Sequence, residues 1–281
     1  MKVTFIVPTR NAFTKKRGCL ELTMCSLSRQ QLECEAEIVV VDNGSTDSTA
    51  EFISEFSKKT SWPVRLVSCP KVGAKALARN YGAAEAKGDV LFFIDDDTLM
   101  PNRRTISCML SKLSPSSFVC GVERRWTYIG WNADRIRNEL KANSYEYALG
   151  ISHLPDGINR ESGYRSLLHM SFIANFGCMQ KKLFDRVGGF GEQYVGWGRH
   201  DCDLMYRLLV EAKAKFVNAF TCGPTIHLNH GVNGHQKDLS INEDLYQELE
   251  QKHGLSLRFS HLFGLKEHDD DSIFTDKEGY K

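Results

Sequence analysis

Three consecutive aspartates, Asp95, Asp96 and Asp97, follow a run of five apolar residues, Val90–Ile94. Carboxylates this close repel one another, and each loses favourable hydration when it is buried. A buried strand that ends in three acids therefore predicts a positive partner. Carboxylate oxygens are ligands that Mg²⁺ and Mn²⁺ prefer. The alternative is an acidic loop that only caps the next helix, because Asp and Asn are ordinary turn residues before Pro101.

A second acidic motif lies in residues 187–209, where five glycines crowd into eleven positions before two aspartates. Crowded glycines indicate that the backbone passes close to another group. Asp201 and Asp203 open a predicted helix, where an aspartate can cap the first turn and suit the helix dipole. Capping, or a secondary contact to a hydroxyl, accounts for Asp203. For Asp201 the residues alone leave capping and a chemical role open.

Three histidines, His227, His230 and His235, follow the last predicted strand. Their spacings of three and five residues do not make a zinc site without a fourth ligand. At least one of them is therefore expected to be an ordinary surface or hydrogen-bonded histidine.

Composition and the chain's apolar runs limit the class of protein. The 36 basic and 35 acidic residues give a net charge of +1, so we expect no nucleic-acid partner. The first apolar run is broken by Pro8, and no later run approaches the roughly 20 residues needed to span a bilayer. The nine cysteines contain no CxxC pair and no metal-site spacing. Because their number is odd and we expect no export signal, they are predicted to be reduced, mostly packed thiols. We expect a cytoplasmic protein without an integral membrane segment; peripheral membrane association stays open.

Over the first hundred residues the hydrophobic pattern alternates between one typical of strands and one typical of helices, and these elements must position the acids. Short apolar runs predict strands at 3–8, 38–42, 64–69 and 90–94, and amphipathic stretches predict helices between them. Ser45 or Thr46 is the expected cap of the second helix. Strands that are apolar on both faces and alternate with helices predict an α/β fold, with a mostly parallel central sheet flanked by helices. The polar clusters at 9–11, 42–45 and 95–97 would then converge at one edge.

The second half is less regular. We expect strands at 119–126, 171–179 and 214–220, and helices at 181–190, 201–212 and 241–253. A single domain over 1–265 is predicted, with a ligand-binding half at 1–115 and a second half at 116–265. The polar segment 266–281 is expected to be a flexible tail. Neither a GxGxxG after the first strand nor a GxxxxGK[ST] is present, so those two phosphate-binding loops are excluded.

Three stretches in series, VPTRN, VVVDNGSTDST and ALARNYGAAEAKGDVLFFIDDD, resemble the family 2 glycosyltransferases. These are nucleotide-sugar enzymes with a single Rossmann-like glycosyltransferase-A domain. The resemblance implies an Asp-x-Asp motif at the three acids, with Asp95 near ribose and Asp97 as the direct metal ligand. It implies that Arg79 lies near the nucleotide. It also implies a base pocket, usually for uracil, formed by Pro8, Thr9, Arg10, Asn11, Asp42 and Asn43. Many members have two acids where this chain has Asp42 and Asn43.

The segment VGWGRHDCDL is similar to the Gly-Trp-Gly-x-Glu-Asp-x-Asp-Leu segment of galactosyltransferases and chondroitin-type polymerases. The resemblance implies that Asp201 is the general base, while His200 replaces the preceding glutamate. Trp197 can pack on a sugar face or in the core. The resemblance also implies that one histidine completes the metal shell with Asp97. The position at a strand end favours His227, with His230 as the alternate.

Together these features predict a metal-dependent inverting glycosyltransferase. It would use Mn²⁺ or Mg²⁺ to move a hexose (Gal, GalNAc, Glc or GlcNAc type) from a UDP-sugar to a hydroxyl. A glycan, a lipid-linked saccharide and a peptide stay open as acceptors, which would meet residues 121–170. A retaining enzyme of the same fold and a non-catalytic nucleotide-sugar or glycan-binding protein are the alternatives. A haloacid-dehalogenase-like phosphatase is disfavoured, because Thr98 follows the acids directly and the strand is not the first.

Overall fold

The computed structural model describes residues 1–16, 18–70, 75–126, 157–159, 164–170, 173–194, 198–223, 225–228 and 240–256. Trp197, His230 and His235, and the predicted tail at 266–281, lie outside these residues. Within the described part of the chain, no helix is both long enough and apolar enough to cross a bilayer.

The first half alternates strands and helices as the apolar runs predict. The elements are β1 (Lys2–Thr9), α1 (Cys19–Ser28), β2 (Glu35–Asp42), α2 (Thr49–Ser57), β3 (Val64–Ser68), α3 (Lys75–Glu85), β4 (Val90–Ile94), β5 (Thr98–Leu99) and α4 (Thr105–Ser111).

The second half contains shorter elements. They are β6 (Ser117–Cys120), β7 (Val122–Trp126), β8 (Gly157–Asn159), β9 (Tyr164–Met170), α5 (Ile173–Phe176), β10 (Gly177–Gln180), α6 (Lys181–Arg186), α7 (His200–Val210), β11 (Lys215–Asn218), a 3₁₀ turn (Phe220–Cys222), β12 (Thr225–His227) and α8 (Ser240–His253).

Seven of the described strands form a mostly parallel central sheet in the order β11-β6-β10-β4-β1-β2-β3. β1 pairs in parallel with both β2 and β4, and β10 is the antiparallel strand between β4 and β6. Phe5 and Val7 pack in one apolar cluster and Ile6 packs in the other, so β1 is buried on both faces. The predicted α/β architecture is confirmed.

A second sheet has the order β5-β12-β7-β9-β8 among the described strands. β12 is antiparallel to β5, so that His227 is paired with Thr98 and Ile226 with Leu99. This pairing brings the end of a late strand to the residues that directly follow the three aspartates.

Three local predictions about the elements were wrong. Residues 171–179 are not one strand: the helical turn α5 precedes β10, and a Cβ at Gly177 would lie 2.6 Å from Ile173 Cδ1. The strand predicted at 119–126 is divided at Gly121, where a Cβ would lie 2.2 Å from Phe176 Cδ1. In both places glycine permits a close approach of α5 that strand propensity does not register.

The third wrong prediction concerns the start of α2, whose N-cap is Ser48 rather than Ser45 or Thr46. The Ser45 hydroxyl instead accepts a hydrogen bond from the Asn11 backbone at 2.8 Å. Asp47 Oδ1 accepts the Thr49 backbone N–H at 3.1 Å. The Ser45 hydroxyl is therefore engaged in a long-range hydrogen bond with Asn11 and does not cap α2.

The prediction that the cysteines are reduced was wrong for one pair. Cys108 and Cys222 form a disulfide that joins α4 to the 3₁₀ turn across 114 positions of sequence. The other seven cysteines are free. Local spacing cannot reveal such a pair, because the Cα atoms come within 5.4 Å only when the fold is complete.

Candidate active site

The three aspartates lie buried in a turn at the end of β4. The Asp95 N–H donates to the Asn175 carbonyl at 3.0 Å, and the Thr98 N–H donates back to the Asp95 carbonyl at 3.2 Å. The strand thus ends in a turn fixed by α5. All three carboxylates stay inside the protein, where unpaired charge is costly.

The chain supplies three cations to these three carboxylates. Arg79 Nη2 donates to Asp95 Oδ1 at 2.6 Å, and Lys75 Nζ lies 3.3 Å from Asp95 Oδ2. Lys16 Nζ contacts Asp96 Oδ1 and lies 2.7 Å from Asp97 Oδ2. The positive partner that the acidic run predicts is therefore present, in the form of the protein's own side chains.

These cations fix the charge of the cluster. Burial tends to raise the pKa of Asp95, but Lys75, Arg79 and Lys16 together lower the pKa overall, so the carboxylate stays ionised. Burial tends to lower the pKa of Lys16, but Asp96, Asp97 and Asp95 raise the pKa overall, so the amine stays protonated. Asp96 also accepts the Thr9 hydroxyl at 2.8 Å.

The ends of β1 and β2 form the second part of the site, as the sequence predicts. The Asn43 N–H donates to the Thr9 carbonyl at 2.9 Å, and Asn11 Oδ1 accepts the Thr46 N–H at 2.7 Å. Asp42 Oδ1 accepts the Ser45 N–H at 3.0 Å. Pro8 is buried within β1 opposite Val41, and Arg10 is exposed at the strand end. The polar clusters of 9–11, 42–45 and 95–97 therefore converge at one edge of the sheet.

A buried chain of contacts joins this edge to the second acidic motif. Arg79 Nη1 lies 3.0 Å from His200 Nε2, and His200 Nε2 lies 3.4 Å from Asp201 Oδ2. Arg79 can only donate, so Nε2 accepts and the His200 proton is on Nδ1, which faces the Gly198 carbonyl at 3.3 Å. Burial lowers the pKa of His200, Arg79 lowers it further, and Asp201 opposes both. His200 is therefore a neutral imidazole.

Asp201 and Asp203 differ in their partners. Asp201 Oδ1 is buried and has no hydrogen-bond partner among the described residues. Asp203 accepts Arg207 Nε at 3.0 Å and the Tyr194 hydroxyl at 3.3 Å, so it acts in the packing of α7 rather than as its cap. The N-cap of α7 is Arg199, which makes no side-chain capping bond. Asp201 is thus the acid of this pair that has a free acceptor oxygen.

His227 lies beside Asp97 because β12 pairs with β5. His227 Nδ1 is 3.4 Å from Asp97 Oδ1, and the imidazole is 30% exposed. The Asp97 oxygen suits Mn²⁺ or Mg²⁺, and an imidazole nitrogen beside it favours the transition metal Mn²⁺. The described residues contain no group of three His, Cys, Asp or Glu side chains that could hold a metal by themselves. Asp97 and His227 fit a cation whose other ligands come from phosphate and water, the mode Mg²⁺ commonly uses.

Lys16 and Lys75 are the site residues that the sequence interpretation missed. Lys16 lies in the loop after β1, at the edge where the acids converge, and two adjacent lysines stand there. A basic pair at that strand end was a usable signal. Lys75 begins α3, one turn before Arg79, so the helical spacing places both cations toward Asp95.

Comparison with known proteins agrees with this geometry. The family model "Glycosyl transferase family 2" matches residues 4–176, which include most of β1, all of β2 and β4, and the three aspartates. The chain belongs to glycosyl transferase family 2. A second family model, "N-terminal domain of galactosyltransferase", matches residues 169–230 of this family 2 chain, the part that contains His200, Asp201 and His227.

A curated relative of the family 2 chain is validoxylamine A glucosyltransferase from Streptomyces hygroscopicus subsp. jinggangensis. It is 27% identical over 232 residues, which cover 73% of this chain and 51% of the relative. The chain spans about half the length of the first curated relatives it matches.

Two solved structures share the fold. GalNAc-T7 with UDP, GalNAc and Mn²⁺ has a TM-score of 0.65 and 15% identity, and covers 98% of this chain and 58% of its own. The mannosyltransferase PcManGT from Pyrobaculum calidifontis, in complex with GDP-Man and Mn²⁺, has a TM-score of 0.58 and 17% identity. That match covers 97% of this chain and 70% of the other. The predicted glycosyltransferase-A fold is confirmed.

Proposed function

We propose that the protein is a metal-dependent inverting glycosyltransferase that moves a hexose from a UDP-sugar to a hydroxyl of a glycan or glycoconjugate. The carrying observation is that Asp95, Arg79 and His200 form a buried hydrogen-bonded chain whose far end, His200 Nε2, lies 3.4 Å from Asp201 Oδ2. This chain joins an acidic cluster suited to a divalent cation with an acid suited to act as a general base, and the two lie over a hundred residues apart in the sequence.

Asp201 is the general base in this proposal. An acceptor hydroxyl has a pKa far above neutrality, so a carboxylate within hydrogen-bond reach must take its proton as the new bond forms. Such a base typically contributes about 10²–10⁴-fold in rate. Asp201 Oδ1 has no hydrogen-bond partner among the described residues and the side chain is 16% exposed, which supports a free acceptor for that proton. One base without a second carboxylate acting as nucleophile favours single displacement with inversion.

The strand-end clusters are assigned to the donor. Asn11, Asp42 and Asn43 would face the base, and Asp95 the ribose, while Asp97 and His227 would hold a divalent cation. Bound there, the cation would supply charge that neutralises the departing diphosphate. The solved structures of the same fold that contain UDP or GDP-Man support a nucleotide-sugar donor in general. The name of the glucosyltransferase relative supports a hexose.

The test is a donor screen that measures release of nucleoside diphosphate from several UDP-sugars and from GDP-mannose, with Mn²⁺ and a panel of saccharide acceptors. We expect turnover with at least one UDP-hexose. Asp97→Ala should abolish metal-dependent turnover without unfolding the protein, and Asp201→Asn should still bind UDP but lose transfer. Wild-type rates in either variant, with chelator controls, would refute the corresponding role.

The two alternatives separate in the same assay. Retention of the anomeric configuration in the product, measured by NMR, would remove Asp201 as the base. Binding of UDP-sugars without any turnover would indicate the non-catalytic binding protein. The division of the domain near residue 115 and the cytoplasmic location stay predictions.

A further inference from the structure

The ammonium group of Lys16 occupies the space between Asp96 and Asp97. Its Nζ lies 2.7 Å from Asp97 Oδ2 and also contacts Asp96 Oδ1, and the side chain is only 14% exposed. Together with Lys75 and Arg79, Lys16 matches the three carboxylates charge for charge. The cluster is therefore neutralised before any ion is added.

Hydrogen bonds to Asp47, which lies just before α2, hold the loop that contains Lys16. Asp47 Oδ2 accepts the backbone N–H groups of Phe13 at 3.0 Å and Thr14 at 2.9 Å. The Cys19 N–H donates to the Lys16 carbonyl at 3.0 Å where α1 begins. The backbone position of Lys16 is thus fixed. Its charge sits on a flexible four-carbon stem that can turn away from the acids.

We propose that Lys16 is an internal counter-ion that competes with the divalent cation for Asp97 and so sets the protein's affinity for that cation. The inference rests on the proposed function, because it takes Asp97 as the metal ligand. An ammonium and a divalent ion on the same buried carboxylate repel each other strongly, since little solvent screens them. The cation therefore binds only when the Lys16 side chain leaves Asp97.

The displaced ammonium needs another anion, and the diphosphate of the donor is an anion at the same edge of the sheet. Binding of nucleoside diphosphate should therefore favour the cation in two ways: through direct ligation and by taking Lys16 away from Asp97. Such linkage is reciprocal between the two ligands. In a protein without the Lys16 charge, the second contribution is lost.

The test is a titration of the full chain with Mn²⁺ alone, in which free Mn²⁺ is measured by electron paramagnetic resonance. Lys16→Met keeps the length of the side chain and removes the charge. We expect its Mn²⁺ dissociation constant to fall at least tenfold below that of the wild type. Lys15→Met is the matched control, because Lys15 is exposed in the same loop and its loss changes the net charge equally. It should stay within about twofold of the wild type.

Two further variants make the result specific. Lys16→Gln, which keeps a hydrogen-bond donor without a charge, should also bind Mn²⁺ more tightly and serves if Lys16→Met folds poorly. Adding Asp97→Asn to Lys16→Met should abolish the gain. UDP should tighten Mn²⁺ binding by a larger factor in the wild type than in Lys16→Met.

Equal or weaker Mn²⁺ binding by both Lys16 variants would overturn the inference, and so would the absence of Mn²⁺ binding from every variant. Release of UDP from a donor by the same wild-type preparation is measured separately. If the wild type turns over a donor but the Lys16 variants bind Mn²⁺ no more tightly than the wild type, the inference is wrong and the proposed function is unaffected.

Discussion

The side chain of His200 lies between the first acidic motif, through Arg79, and Asp201 of the second motif. The imidazole of His200 accepts from Arg79 and lies beside Asp201 while it stays neutral. An acid there, as in the galactosyltransferase-like motif, would share the charge of Arg79. Because His200 is neutral, Asp95 is the anion that pairs with Arg79. This pairing helps to keep the Asp95 carboxylate ionised.

The role of His200 predicts a difference between two substitutions. His200→Ala leaves the buried Arg79 Nη1 without its acceptor, which should cost about 2–3 kcal/mol in the free energy of unfolding. His200→Gln retains an acceptor oxygen and should cost about half as much. Chemical denaturation of the two variants and the wild type measures both values. Equal losses would show that the acceptor role of His200 is unimportant.

The same imidazole gives a pH dependence whose sign is fixed. The pKa of His200 is lowered in the folded protein from the usual 6.5, so below pH 6.5 the unfolded chain binds a proton that the folded chain refuses. The free energy of unfolding therefore falls as pH drops from 6.5 toward the lowered pKa. His200→Gln lacks this loss. The stability advantage of the wild type over His200→Gln should narrow over that interval, and a widening gap would contradict the assignment.

At the scale of elements, the pairing of β12 with β5 positions His227 next to Asp97. The 3₁₀ turn that precedes β12 is tied to α4 by the Cys108–Cys222 disulfide. A covalent link across 114 residues thus restrains the segment that carries His227. We expect the disulfide to stabilise the native arrangement chiefly by limiting the unfolded chain, by about 2–4 kcal/mol.

The disulfide predicts a definite thiol count. Alkylation of the denatured, unreduced protein followed by intact mass measurement should modify seven cysteines, and prior reduction should raise the number to nine. Reduction should also lower the midpoint of thermal unfolding, whereas the Cys108→Ser and Cys222→Ser double variant should no longer respond to the reductant. Nine reactive thiols without reduction would show that the pair is not bonded.

The elements of the first half could be predicted because the main strands contain short, mostly apolar runs and amphipathic helices lie between them. Their polar ends, such as Thr9 and Asp42, then had to meet at one edge. The contacts that local patterns miss are those made across long sequence separations. Lys16 meets Asp97 over 81 positions, and the close approach of Phe176 to Gly121 divides a predicted strand. Propensity carries no information about such partners.

At the scale of the whole molecule, Arg79 joins the two segments that the two family models match. It lies on α3, fully buried, and contacts Asp95 from the first segment and His200 from the second. Its guanidinium also lies 5.6 Å from the centroid of the Phe190 ring. The first acidic motif and the second are therefore parts of one buried network.

That network predicts that Arg79→Met weakens the whole fold. The loss of Arg79 leaves the buried Asp95 carboxylate with Lys75, which is 36% exposed, as its remaining close cation. Removing one partner of a buried ion pair costs about 3–5 kcal/mol in the free energy of unfolding, and we expect a loss near the lower end of that range. Arg65→Met is the matched control, because Arg65 is 28% exposed and its ion pairs are longer: 3.3 Å to Glu85, and 3.7 Å to the buried Glu37, which keeps its hydrogen bonds from Thr4 and Lys87. The control should lose about 1 kcal/mol. Denaturant unfolding followed by both circular dichroism and tryptophan fluorescence would show whether one transition persists. If Arg79→Met lost no more stability than Arg65→Met, the two acidic motifs would have to be held together by other contacts, and Arg79 would serve the donor site alone.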